Sequence, residues 1–317
     1  VTAVQIERLH MSADARAGEW GATLQLPQRG QVHVVGTCHL SSQSARAAQH
    51  AVLALTERHG RPPLAVLLEL CADRTEILSY SGRPAPLPPL TWSTAKENWR
   101  MLVDPLFWFK LPFAAAEALV GSQEGYEFTA AAKAANAVGA QVLLIDRPVG
   151  ATVTRLLVGL QQLTFADAKK CFTAGLSSEG AAADVRELTR LLNPWWGPGA
   201  AHLDAAELRH CQNLARNLIE NLDPNQDIVQ LPQAVKRPLL DERDTIMSHA
   251  IYHAACRTPP GDSLVAVVGA AHVPGIVRQF HAQAAATAAR QAGSCSGTHC
   301  GRQDEMFELS QRADVLP

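Results

Sequence analysis

Four short apolar runs, each closing in polar or glycine-marked residues, constrain this chain more than any other feature. Residues 31–35, 64–68, 141–145 and 263–268 are rich in Val, Leu and Ile. They end in Gly36-Thr37-Cys38-His39, Glu69-Leu70-Cys71-Ala72-Asp73-Arg74, Asp146-Arg147 and Gly269-Ala270-Ala271-His272. Apolar runs of this length, separated by helical stretches, predict buried strands of an α/β fold, because a strand covered on both faces needs apolar side chains on both. In open α/β sheets ligands bind beyond the carboxyl ends of the strands. The glycine with a histidine three positions on occurs after the first run and again after the last, so His39 and His272 are expected to face one crevice.

Between these runs the chain reads as follows. Residues 23–26 pair with 31–35 around the turn Pro27-Gln28-Arg29-Gly30. Ser41 or Ser42 caps a helix with the stripe Ala45, Ala48, Val52 and Leu55, ending at Gly60. That strand, helix and strand make a βαβ unit, so runs 31–35 and 64–68 are expected to be parallel neighbours, with Glu69 and His39 at one sheet edge. Pro84, Pro86, Pro88 and Pro89 mark a surface linker before a Trp- and Phe-bearing helical stretch. Residues 125–138 form an alanine-rich helix with Glu127 in its first turn. Asp241-Glu242-Arg243-Asp244 opens a helix to about residue 256, with Ile246, Ala250 and Ala254 on one face; part of that acidity suits the helix dipole.

The expected fold is therefore α/β: a central, largely parallel sheet flanked by helices, with a long helical insertion, about 151–240, between the third and fourth core strands. The insertion is either a lid over the strand ends or a layer packed on one face. Residues 1–20 are expected to be a linker or a truncated amino terminus, 21–292 the folded domain, and 293–317 a flexible tail.

Composition enters mainly to exclude. A formal charge of −2 and no long run of like charges argue against a nucleic-acid partner. Seven scattered cysteines do not make a disulfide scaffold and point to a reducing, intracellular compartment. The apolar stretch from 102 to 120 is broken by Asp104, Pro105, Lys110, Pro112 and Glu117, so no transmembrane segment is expected. Leu106-Phe107-Trp108-Phe109 either packs in the core or dips into a membrane surface, which leaves peripheral membrane association open. The chain has no dinucleotide fingerprint, Walker loop, His-Glu-x-x-His or nucleophile elbow.

Two imidazoles and a carboxylate, His39, His272 and Glu69, form a ligand set that leaves positions open on a catalytic divalent ion; Mn, Co, Zn and Fe all suit it. The same trio without metal supplies an acid, a base and an orienting carboxylate. Glu127 is the expected second acid or base. Arg74, Arg147 and Arg243 are placed to hold a carboxylate or oxyanion, or else to pair structurally with Asp146, Glu127, Asp241 or Asp244. Cys38 and Cys71 flank the ligands as packing residues or thiolates, and Cys295-Ser296-Gly297-Thr298-His299-Cys300 is half of a zinc pattern.

Taken together, Gly36-Thr37-Cys38-His39-Leu40-Ser41, Glu69-Leu70 with Arg74, Gly125-Tyr126-Glu127-Phe128, Leu144-Ile145-Asp146-Arg147 with Thr154-Arg155, Asp241-Glu242-Arg243-Asp244 and Val268-Gly269-Ala270-Ala271-His272-Val273-Pro274-Gly275-Ile276 resemble the TraB family over about residues 32–278. The resemblance extends to the TIKI metalloproteases, the erythromycin esterases and the haem-binding ChaN proteins. It implies a functional centre of two histidines and a glutamate, here His39, His272 and Glu69. The expected function is a metal-dependent hydrolase of a peptide or small carbonyl substrate. The resemblance also links the chain to shutdown of a mating pheromone and, through eukaryotic relatives, to mitochondria. The alternative is therefore a non-catalytic regulatory or tethering protein at organelle membranes, with a cytoplasmic or mitochondrion-associated location.

Overall fold

The protein is described by a computed structural model that places residues 20–38, 41–79, 125–162 and 232–293, with isolated positions between 187 and 214. Five strands, β1 (Trp20–Gln25), β2 (Gln31–Thr37), β3 (Ala65–Leu68), β4 (Gln141–Leu144) and β5 (Ser263–Gly269), form one sheet in the order β1-β2-β5-β3-β4. β1 is antiparallel to β2, with Thr23 opposite His33, and every other pairing is parallel. The fold class is the expected one.

One expectation fails. β2 and β3 are parallel but not neighbours, because β5 lies between them: Thr37 pairs with Gly269 on one side, and Leu68 pairs with Val267 on the other. A βαβ connection fixes handedness and direction, but it does not prevent a later strand from inserting in the gap. As a result the last strand, with Gly269 at its end, occupies the middle of the sheet.

Alternation along the strands builds a layer on each face. Leu264, Ala266 and Val268 join Val32, Val34 and Leu67 in one core cluster, while Val265 and Val267 join Val35, Val66 and Leu68 in the other. The second cluster is closed by α1 (Ser42–His59) and α2 (Tyr126–Val138). Ser41 caps α1, accepting from the Ser44 backbone N–H at 3.3 Å, and Gly60 ends it at φ 65°, where a left-handed residue releases the helix without a Cβ clash. The expected stripe Ala45, Ala48, Val52 and Leu55 is buried.

The first cluster is closed by a helix continuous from α4 (Gln233–Lys236), through a π turn (Arg237–Asp241), into α5 (Glu242–Arg257), and by α6 (Val273–Gly293). Between α2 and α4 the chain forms α3 (Val149–Leu160); most of the expected insertion lies outside the described residues. The core face of α5 is Met247, Ile251, Tyr252 and Ala255. Ile246, expected on that face, is 39% exposed, while Ala250 and Ala254 pack at its margin. The alanines alone could not fix the rotation of the helix, and the larger Met, Ile and Tyr side chains bury more area one position on. Among the described residues no helix is long and apolar enough to cross a membrane.

His33 sits on the α1 side of β2 at 5% exposure. Its Nδ1 lies 3.3 Å from Thr23 Oγ1, and its Nε2 has no hydrogen-bond partner among the described residues. Burial, helped by the charges of His59 and Arg58, pushes its pKa down to about 4. A neutral buried imidazole contributes stability above its unfolded pKa of 6.5 that is lost as pH falls toward 4. Urea midpoints measured from pH 7 to 4 should therefore drop over this window, and His33→Phe should flatten the drop. A midpoint equally pH-dependent in the variant would show that another group is responsible.

Candidate functional site

The carboxyl ends of β3, β4 and β5 bring a set of ionised side chains together under the start of α5. Glu69 follows β3 directly, and its backbone N–H donates to Val267 O at 3.1 Å. Its side chain is 2% exposed: Oε2 accepts from the Gly269 backbone N–H at 2.5 Å, and Oε1 accepts from Arg243 Nη2. Asp146, one residue past Ile145, receives Arg243 Nη2 at 2.7 Å and Nε at 3.2 Å. Arg243 thus spans the ends of two strands, holding both carboxylates from the first turn of α5. Burial works against its charge, but Glu69 and then Asp146 outweigh this and hold its pKa above the usual arginine range.

His272 ends a 3-10 turn (Ala270–His272) after β5 and is 4% exposed. Its ring is held at both nitrogens. Nδ1 is 2.6 Å from Asp244 Oδ1, and Nε2 is 3.2 Å from Glu69 Oε1 and 3.1 Å from Arg243 Nη1. Burial alone would strip the imidazolium of hydration and lower its pKa. The Glu69 charge and the bonds to Asp244 and Glu69 overcome that, raising it to about 9 against the opposing Arg243. Asp244, in turn, is pushed up by burial, with its bond to His272 opposing.

The π turn explains how one helix start reaches so many partners. A widened turn leaves carbonyls without their usual i→i−4 donors. Here Pro238 O accepts from Arg147 Nη2 at 2.6 Å, and Leu239 O accepts from Arg243 Nη1 at 3.3 Å. Arg147 also donates from Nε to Thr152 Oγ1 at 2.8 Å and from Nη1 to Glu242 Oε2 at 2.7 Å, and Arg155 meets the same carboxylate at 2.6 Å. Arg155, then Arg147, hold the Glu242 carboxyl below its ordinary pKa.

Of the residues singled out from the sequence, Glu69, Asp146, Arg243 and His272 therefore meet in one cluster. Arg147 binds Glu242 and the π turn beside it. Glu127 is buried at 1% in the first turn of α2, and Arg74 lies in the 3-10 turn Ala72–Ser79 that packs against α2. Cys71 is buried and Cys38 half-buried. His39, residues 106–109 and residues 295–300 lie outside the described residues.

Of the three ligands expected for a divalent ion, Glu69 and His272 are described and meet at 3.2 Å, while His39 lies outside the described residues. Arg243 lies against both Glu69 Oε1 and His272 Nε2 and supplies positive charge beside them. Among the described residues no group of three His, Cys, Asp or Glu side chains is spaced to hold an ion.

Two residues went unrecognised as parts of the site. The sequence marks Asp244 only as a helix-dipole or pairing residue, yet it holds His272. Its signal was positional: Asp244, Ser248, Ile251 and Ala255 share the buried face of α5, and a carboxylate on that face needs a partner. The other is Gly275, where a Cβ would stand 1.7 Å from Asp244 Oδ2 and 2.4 Å from Asp244 Cγ. Asp244 cannot swing aside without releasing His272. Gly275→Ala is therefore expected to destabilise the protein by about 1–3 kcal/mol through overpacking, measured as a lower urea midpoint. An unchanged midpoint would mean that the carboxylate gives way freely.

A sequence model of the TraB/PrgY/gumN family matches residues 25–285 of this chain. An uncharacterized protein of Methanocaldococcus jannaschii is 27% identical to it over 159 residues, which cover 50% of this chain and 32% of that relative. The chain thus spans about a third of the length of the curated relative it matches.

Proposed function

The chain belongs to the TraB/PrgY/gumN family, and from the chemistry at its sheet edge we propose that it hydrolyses a peptide or related carbonyl substrate. The observation that carries this reading is the clamped imidazole: His272 is fixed by Asp244 on one nitrogen and faces Glu69 and Arg243 with the other. A histidine oriented by a carboxylate is a proton carrier of defined tautomer, and a neighbouring guanidinium is suited to stabilising an oxyanion as it develops. In this reading water adds to the substrate carbonyl carbon as Glu69 takes its proton, Arg243 receives the negative charge on the carbonyl oxygen, and His272 passes its own proton to the leaving group as the bond to it breaks. Glu127, in the first turn of α2, is the second acid or base of this reading, and Arg74 a further cation for a carboxylate or oxyanion.

The metal-dependent form of the same reaction, with His39, Glu69 and His272 as ligands, requires Arg243 to withdraw from Glu69 and His272. The two forms separate in one assay. Hydrolysis of peptide and ester libraries is measured for the wild type, His272→Gln and Glu69→Gln, with a chelator and with added Mn, Co, Zn or Fe. Chelator-resistant activity lost in both variants supports the arginine-based form, and activity restored only by metal supports the other. Full activity in both variants overturns the proposal.

A second reading has one observation in its favour: Glu69, Asp146, Arg243, Asp244 and His272 compensate one another and are nearly buried, as a purely structural keystone would be. The protein would then be a regulatory or tethering factor, peripherally associated with an organelle membrane such as that of the mitochondrion. Membrane recruitment that survives His272→Gln, with no hydrolysis of any library, is the result expected for it.

A further inference from the structure

Away from the crevice, α5 carries two histidines one turn apart. His249 is exposed and His253 half-buried, both off the core face formed by Met247, Ile251, Tyr252 and Ala255. Residues four apart on a helix stand one above the other. Here the two Nε2 atoms are 3.1 Å apart and the ring centroids 4.3 Å apart. His253 is also buttressed: its ring meets Tyr252 edge-on at 6.0 Å, and Tyr252 meets Phe280 of α6 at 5.6 Å.

The nitrogen separation has a chemical meaning. Two nitrogens each ~2.0–2.1 Å from one ion stand about 3.3–3.4 Å apart at the tetrahedral angle and about 2.9 Å apart at a right angle. The observed 3.1 Å lies between these values. A histidine pair at this helical spacing is also the arrangement by which helix-borne zinc sites present two ligands on one face. Without an ion, two facing Nε2 atoms share at most one proton.

We propose that His249 and His253 form a surface bis-imidazole site for a borderline divalent ion such as Zn²⁺, Ni²⁺ or Cu²⁺, separate from the crevice around His272. Imidazole suits these ions, whereas Mg²⁺ and Ca²⁺ require oxygen ligands. Two protein ligands leave the remaining positions to water or to a small-molecule donor. Bound there, the ion bridges one turn of the helix whose first turn carries Arg243 and Asp244.

The test is a titration of the untagged full chain with zinc chloride, followed by calorimetry, with magnesium chloride as the control. His249→Ala and His253→Ala suit it because alanine is the best helix former and the positions lie outside the core; equal urea midpoints in chelator confirm that both variants fold. His272→Gln removes the crevice histidine independently. The expected result is one saturable zinc site that survives His272→Gln and weakens in either alanine variant by at least the ~10–100-fold that loss of a metal ligand's supporting partner costs. Magnesium should not compete. No saturable zinc binding, binding undiminished in the His249→Ala, His253→Ala double variant, or binding lost only with His272→Gln each overturns the assignment.

Discussion

Arg243→Met is expected to remove about 3–5 kcal/mol of stability, the cost of leaving a buried charge pair half-made. The guanidinium bonds Glu69, which is 2% exposed, and Asp146, whose side chain is 6% exposed, so its loss strands two carboxylates away from water. Methionine fills much of the volume, which separates the charge effect from a cavity. The readout is the urea midpoint at constant m-value. Adding Glu69→Gln and Asp146→Asn to Arg243→Met should restore part of the loss, because the stranded charges are then gone. A single-variant loss below about 1 kcal/mol would place the pair in the class of weak surface bridges and remove Arg243 as the organiser of the site.

The second large effect depends on pH. His272 has its folded pKa raised from 6.5 to about 9, so the imidazolium stabilises the folded protein fully below pH 6.5. That contribution is lost as pH rises through 9. A separation of this size corresponds to about 3 kcal/mol, an upper value for so tightly coupled a cluster. Urea midpoints at pH 6, 7.5 and 9 should fall progressively, and His272→Gln should be lower at pH 6 but nearly flat over the same range. A wild-type midpoint constant to pH 9 would mean that the proton is not held between Asp244 and Glu69. Together with the acid-side loss from His33, the protein is expected to be most stable close to neutral pH.

Much of the site was legible because strand ends announce themselves. A β-branched apolar run that stops at Glu69, Asp146 or Gly269 places the next polar residue at the carboxyl edge of a parallel sheet, whatever the sheet order. Ser41 and Gly60 marked the limits of α1 for similarly local reasons. The neighbour relation of β2 and β3 was not legible, because strand order is set by which faces remain to be covered once the whole chain is present. Nor was the rotation of α5, where several positions one residue apart carry apolar side chains.

The sequence by itself determined the strands, their shared direction, the helix caps and the identity of the groups at the sheet edge, since each follows from periodicity and backbone chemistry within a few residues. Only the tertiary structure decided what those groups do to one another. By inserting β5 between β2 and β3, the fold brings the Gly269 backbone N–H onto Glu69. By starting α5 from a π turn, it brings Arg243 and Asp244, from a segment 174 residues beyond Glu69 in the first case, onto Glu69 and His272. Charges so far apart in the chain have no local signature. Their pairing is imposed by burial, which makes an uncompensated carboxylate too costly to leave beside the core.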